Sequence, residues 1–444
     1  MKTVTHLTTP KIRNIIIFLA VSTIALHTLY FIHVYGVNIF VVDDLPFASI
    51  AQAIKNGDHF WNVEEFVEYR DQRPIFPNLI LVVNMVLASW NVMYQLYFGW
   101  FLIVLSIVPM YSILKKTDHR LIWIIIPIVA FLFNTAQHVS LLMDIASRQM
   151  LLASMGIIFS IYFINKIQSQ KAALLPAILF AIVASFSAIP GLLVWIVGVL
   201  SLTNFDKTKK TPLLIWISSA FVVFFVYFTN FAFGAENKSI NLLGLFTLDS
   251  LKLFLLSASN GLIPKLTTFV PIQIIAGFVV ISLIIGGPVY LRLKQKEIKA
   301  IVPWIQFGLI GLFYAVMTII ARADLDVPLS HYVTIDKFSQ ISALIIATMI
   351  FLQIHNSSSD KHKKTVASII FSIFIAIIVI SLSASYVSGW YDGSIYHKEK
   401  ISYLECMTNP IFDFKCTMLD SERDMVRENG KILKELHLGP FANQ

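Results

Sequence analysis

Two adjacent carboxylates, Asp43 and Asp44, stand where the first apolar run of the chain gives way to an acidic loop. A carboxylate at a membrane surface is costly unless it is solvated, paired or used. The doublet is therefore the first candidate for chemistry, as a general base that takes the proton of an attacking hydroxyl. After it, Phe47, Ile50, Ala51 and Ile54 recur at helical spacing, which predicts an amphipathic helix resting on the membrane. Pro46 suits its first turn and Gly57 its end. Asp44 then has a structural reading as the N-cap, with its carboxylate on the amide of Phe47. Asp43 has no such duty and is the better base candidate.

Further along the same loop, Arg70 and Arg73 precede an apolar stretch entered through Pro74 and Pro77. Guanidinium groups there can hold a lipid phosphate bidentately, or snorkel and pair with Glu68 or Asp71. Asp144 and Arg148 lie four apart in a second polar segment. On a helix they share a face and can pair; otherwise Asp144 joins Asp43 at a divalent ion, Mg or Mn, or positions an acceptor, and Arg148 meets a phosphate. In a later polar segment, Arg322 is a candidate for a charged donor headgroup or an anchor for a helix end. His331 and Tyr332 line a sugar pocket or belong to an interfacial aromatic belt. No histidine, cysteine and acid spacing suggests zinc. There is no glycine-rich phosphate loop, nucleophile elbow or Walker motif.

The scaffold that must position these residues is apolar. The 444 residues are 57% hydrophobic and 14% charged, against about 25% charged in a soluble domain. Runs near twenty apolar residues, without the alternation of barrel strands, predict membrane-spanning helices. The first is too long, and too weakly followed by small residues, for a cleaved signal. The +8 net charge does not point to nucleic acid, because 18 of the 34 basic residues cluster in short connectors. Placed together on the cytoplasmic side, these clusters predict an all-α polytopic protein with a cytoplasmic N-terminus and eleven crossings. They fall near 14–35, 94–114, 121–136, 149–165, 172–187, 189–204, 213–232, 268–291, 301–321, 335–354 and 366–386. The segment Ile75–Trp90 is short and contains Asn78 and Asn84; it is read as a helix in the outer leaflet, within a first outer loop of about 36–93. Residues 1–386 form the membrane unit and 387–444 an extracytoplasmic tail. The tail holds the only cysteines, Cys406 and Cys416, which an oxidising exterior would join. A short helix is expected at Arg423–Leu436.

At these residues the chain resembles the GT-C-type integral membrane glycosyltransferases. Asp43-Asp44-Leu-Pro-Phe47-Ala48 is similar to the acidic pair and helix that follow the first span in the aminoarabinose lipid A transferases and protein O-mannosyltransferases. Arg73-Pro-Ile-Phe-Pro77 loosely matches the entry to their juxtamembrane helix, and keeps Arg73, Phe76 and Pro77 of a pattern found in an uncharacterised bacterial branch. Arg322 and His331-Tyr332 match an Arg…Ser-Arg-Tyr-like loop, with His in place of Arg. The resemblance covers most of the chain as architecture and only short motifs as sequence.

It implies transfer of a sugar from a polyprenyl-phosphate donor to an extracytoplasmic acceptor at a bacterial or archaeal cytoplasmic membrane. The acceptor would be a cell-surface glycan or glycolipid. Asp43 would be the base and Asp44 its acidic neighbour, with inversion at the anomeric carbon. The rival readings are a transporter or flippase of lipid-linked sugars, a polysaccharide polymerase or ligase, and a non-catalytic assembly protein. Interrupted spans with polar groups at mid-membrane would mark the transporter.

Overall fold

The structure, a computed structural model, describes residues 10–69, 72–167, 169–203, 210–231, 247–262, 270–294, 298–321, 329–408 and 423–442. Among these there is no strand. Among the described residues, nine helices are long and apolar enough to cross a membrane: Lys11–Tyr35, Val92–Thr117, His119–Leu142, Asp144–Ile164, Thr211–Phe228, Val270–Leu293, Val302–Ile320, Ser330–Ser357 and Lys361–Glu405. The chain is an all-α, multi-pass membrane protein. Each of the nine coincides with an expected crossing.

The other two expected crossings are the shorter apolar helices Lys171–Ser185 and Ile189–Thr203. Fifteen residues at 1.5 Å each reach only about 22 Å, less than a hydrocarbon core of about 30 Å. They form a tight hairpin, in which a Cβ on Gly191 would collide with the backbone of Ala184.

Contacts between connectors sort the two ends of the bundle. At one end, Thr117 Oγ1 donates to the Ala300 carbonyl (3.1 Å) and the Trp304 indole donates to Thr117 Oγ1 (2.8 Å). Asn165 there meets Gln306 (2.8 Å) and Ser201 (2.8 Å), and Lys116 reaches the Asn165 carbonyl. This is the basic end. At the other, Thr28 Oγ1 donates to the Phe133 carbonyl (2.8 Å), Asn134 to the Gly261 carbonyl (2.7 Å), and Ser330 to the Ala136 carbonyl (2.8 Å). Alternate connectors therefore share an end, as the charge pattern requires.

The acidic first loop packs over this second end. Helix Ile75–Ala88 starts there, with the Phe76 amide on the Phe186 carbonyl (3.2 Å). One face buries Asn78, Leu81, Asn84 and Met85, while Leu79, Val83, Val86 and Leu87 are exposed. Fourteen residues reach only about 21 Å. The helix ends at Ser89 (φ 48°) and Trp90 (φ 51°), two non-glycine residues in the left-handed region; for a side chain as large as tryptophan this is strained backbone.

Three expectations are corrected. The helix after the acid doublet, Ala48–Asn56, does end at Gly57 (φ 78°). Its apolar face, however, with Phe47, Ile50 and Ala51 buried, lies on protein and not on the membrane. It packs against Arg423–Glu435, Glu64–Val67 and Ile75–Ala88. The expected surface helix near the C-terminus, Arg423–Glu435, accordingly buries Leu433, and the Gly439 amide beyond it donates to the Ser89 carbonyl (2.8 Å). The last long helix does not stop at 386. It runs unbroken from Lys361 to Thr408, 48 residues or about 72 Å. Trp390 donates to His27 (3.0 Å) and His397 meets the Tyr35 carbonyl (3.1 Å), so the helix follows the first span up into the acidic loop.

Candidate active site

The doublet lies in a short 3-10 helix, Val42–Phe47. Asp44 is completely buried. Its Oδ2 accepts from the Val41 amide (3.1 Å) and its Oδ1 from the Ile145 amide (3.1 Å). The expected cap on Phe47 is thus replaced: the carboxylate turns back to the start of its own helix and across to a segment 101 residues later. Burial first, and then the charge of Asp144, push the Asp44 carboxyl up to about 8; Arg148, the Val41 amide and Lys400 act in the opposite direction.

Asp144 and Arg148 pair, as one sequence reading had it. Arg148 Nε lies 3.6 Å from Asp144 Oδ1, with both side chains fully buried. Asp144 Oδ2 accepts from the indole of strained Trp90 (3.1 Å). Arg148 Nη1 donates to Asn78 Oδ1 (2.7 Å), and its guanidinium lies 4.4 Å from the centre of the Phe47 ring. Residues Ser147–Leu151 form one turn of π-helix between Asp144–Ala146 and Leu152–Ile164, a local widening common at functional sites. Nε and Nη2 of Arg148 have no hydrogen-bond partner among the described residues.

Sequence reasoning missed the fourth charge. Lys400, on the extension of the last long helix, is buried; its ammonium donates to the Leu142 carbonyl and lies 5.2 Å from the Tyr396 ring centre. It is within electrostatic reach of Asp44 and Asp144. Two acids and two cations from three separated segments are thus joined.

Asp43 is half-buried at the rim of this cluster, and Asp43 and Asp44 both lie within electrostatic reach of Tyr396. The Tyr396 ring is 6.1 Å from that of His138, and His138 Nδ1 is 3.2 Å from Ser330 Oγ. His331 and Tyr332 follow directly. His331 packs edge-on against Tyr332 (4.3 Å), which is buried against Tyr314 (5.8 Å), and the His331 carbonyl accepts from Ser140. The expected residues Asp43, Asp44, Asp144, Arg148, His331 and Tyr332 therefore share one end of the bundle. His138 and Tyr396 join them; a lone histidine and a tyrosine far along the tail gave no signal for this.

Arg73 is not at this cluster. Its Nη1 donates to the Val226 carbonyl (3.0 Å) and its Nη2 to the Thr229 carbonyl and to Glu68 Oε2 (3.3 Å). It caps the end of helix Thr211–Phe228, and the expectation that it clamps a phosphate gives way to its alternative, pairing with Glu68. Arg70, Arg322 and the proposed Cys406–Cys416 disulfide lie outside the described residues and side chains. For a divalent ion on Asp43 and Asp144 the fit is poor. Asp144 spends its carboxylate on Trp90 and Arg148, and no group of three metal-ligating side chains forms among the described residues.

A second polar cluster, also missed, lies further into the bundle. Asp336 and Lys337, both buried, open an otherwise apolar span. Asn260 donates to Asp336 Oδ2 (2.8 Å), and Lys337 donates to Gln137 Oε1 (3.0 Å) and the Leu132 carbonyl (3.2 Å). Thr334 Oγ1 links Gln137 to Ser140 (3.1 and 2.8 Å) and so to the site above. An adjacent acid and base at the head of a span was the available signal.

No protein-family model, curated protein or solved structure matches the chain.

Proposed function

We propose that this protein is a GT-C-type membrane glycosyltransferase with eleven crossings and its acidic end outside. It transfers a sugar from a polyprenyl-phosphate donor to a cell-surface glycan or glycolipid acceptor. The observation that carries this reading is the division of labour in the acid doublet. One carboxylate is locked into a buried charge network, and its neighbour is half-buried within electrostatic reach of Tyr396, whose ring packs near His138, at the end opposite the basic connectors.

In this mechanism Asp43 takes the acceptor hydroxyl's proton as the oxygen attacks the anomeric carbon. The bond to the carrier phosphate breaks on the opposite face, and configuration inverts. Asp44, Asp144, Arg148 and Lys400 hold the doublet in place. A cation must meet the charge that develops on the departing phosphate. Arg148 and Lys400 are buried and Arg73 is spent on a helix end, which leaves Arg322 and Arg70 as the candidates. The first-loop helix Ile75–Ala88, with its exposed apolar face, suits a site that draws its donor from the lipid. The test is purified protein in nanodiscs with a panel of polyprenyl-phosphate sugars, its products read by mass spectrometry. Expected is transfer of one sugar by the wild type and transfer slowed about 10²–10⁴-fold with Asp43→Asn; equal product from both refutes the mechanism.

The buried Asp336–Lys337 pair favours one competing reading, transport of a lipid-linked sugar, because ionisable groups inside spans mark translocation paths. In proteoliposomes that reading predicts movement of the lipid-linked sugar between leaflets without product, abolished by Lys337→Met.

A further inference from the structure

We infer that the cleft between the last two long helices, at the basic end, binds the headgroup of an anionic phospholipid. Helix Val333–Ser357 turns over at residues 358–360 into Lys361–Thr408. Between them lies a cleft of about 440 Å³, its lining including Lys361, Lys364, His355, Ser368, Ile369 and Ile373. Lys361 and Lys364 are one turn apart, with Ser368 a turn deeper, so they share a face of the helix. Ile369 and Ile373 are exposed, as side chains facing lipid are. The cleft is thus cationic at its mouth and aliphatic along its flank, which matches a phosphodiester above acyl chains.

Two further observations point the same way. The Nδ1 of His355 is buried and has no hydrogen-bond partner among the described residues; a phosphate oxygen would supply one. One turn further in, Phe351 stacks on Phe371 (ring centres 4.2 Å apart, 4° between planes), holding the two helices together below the cleft. Charge complementarity is one-sided. Asp360 is the only acid between His355 and Ile373, and its carboxylate is engaged by the His362 amide (2.9 Å). Residues Asp360 to Lys364 carry a net +2 with His362 neutral. Basic pockets between spans recognise anionic headgroups in this way. A free phosphate would use the lysines but not the isoleucine flank. The inference does not depend on glycosyl transfer.

The test uses the full chain in mixed detergent–lipid micelles, with phosphatidylglycerol or phosphatidylcholine as the probe. Retained lipid is counted by native mass spectrometry and unfolding temperature is read in parallel. Phosphatidylglycerol should be retained and should raise the unfolding temperature, and phosphatidylcholine should do neither. At about 1 kcal/mol per lysine near the surface, Lys361→Gln with Lys364→Gln should weaken retention about thirtyfold. Lys363→Gln, which removes a neighbouring charge outside the lining, should leave it unchanged. Ser368→Trp keeps every charge and fills the cleft, and should also abolish retention. The inference is overturned if the double variant or Ser368→Trp retains the lipid like wild type. It is also overturned if Lys363→Gln loses as much, leaving the lysines only a diffuse topological signal, or if inorganic phosphate stabilises as well as the lipid, making the ligand a free anion.

Discussion

Replacing Asp44 separates its structural duty from catalysis. Its carboxylate is the sole bridge shown between the Val41 and Ile145 amides, each 3.1 Å away. Asp44→Ala removes both acceptors and leaves two buried N–H groups, at about 1–3 kcal/mol each, hence about 2–6 kcal/mol of stability. Asp44→Asn keeps one acceptor oxygen but sets an amide NH₂ against the other backbone N–H, so its loss should be about half that. Unfolding in nanodiscs gives the ranking, wild type above Asn above Ala. Hydrogen exchange locates it: the loss should appear both in the 41–47 segment and in the 139–148 segment, far away in sequence but tied through one side chain. An Ala variant with wild-type exchange at 139–148 would refute the bridge, and with it the claim that Asp44 positions the doublet.

The remaining predictions test neighbouring parts of the argument. Because the Asp44 carboxyl is raised from 3.8 to about 8, the folded state holds that proton more tightly; its stabilising effect is full below about pH 4 and is lost as pH rises through about 8. Wild type should therefore lose unfolding temperature progressively between about pH 4 and pH 8, with this slope ending above about 8, and Asp44→Asn should lack it. Arg148→Met strands buried Asp144 and should cost about 3–5 kcal/mol; Arg148→Lys should not rescue it, since the contacts to Asn78 and Phe47 use a planar fork. Asp43→Asn should unfold like wild type yet lower glycosyl transfer about 10²–10⁴-fold. Lys400→Met should raise hydrogen exchange in both 396–408 and 139–148, because one ammonium joins them; a change in only one segment refutes the link.

The spans were legible because burial in lipid imposes a plain rule, long uninterrupted apolar helices, and local sequence obeys it. The helix ending at Gly57 was legible for the same local reason. What escaped was partnership over distance. An arginine before a membrane-dipping helix looks like a phosphate ligand until helix Thr211–Phe228 delivers its carbonyls to Arg73. The apolar face at Phe47, Ile50 and Ala51 announces burial but not its cover, which is helix Arg423–Glu435 rather than lipid. Lys400 was assigned to a polar tail because apolar composition fades after residue 386. The helix continues there because Gly389, Trp390 and Gly393 let it lie closely on Thr135, His27 and Phe31. Asp336 and Lys337 were visible as a pair but stood at the edge of a span, where charge is ordinary.

Under the proposed mechanism, the buried quartet gives the second acid of the doublet a role distinct from that of the base. Sinking two acids and two cations costs desolvation that their attraction rarely repays in full, so stability alone is a poor reason to keep them. Their effect is positional. Asp44 ties the loop after the first span to the segment at Ile145, Lys400 ties that segment to the last helix through the Leu142 carbonyl, and Arg148 ties it to the juxtamembrane helix through Asn78. Each joint is a buried, directional bond that fails if its segment shifts by an ångström or so. Asp44 is completely buried with both carboxylate oxygens engaged by backbone amides, so it has no access to a substrate hydroxyl. The same network that disqualifies Asp44 fixes the backbone of the residue before it. Asp43, half-buried beside it, therefore takes a set position from its neighbour, which is what the proposed base needs in order to reach a substrate.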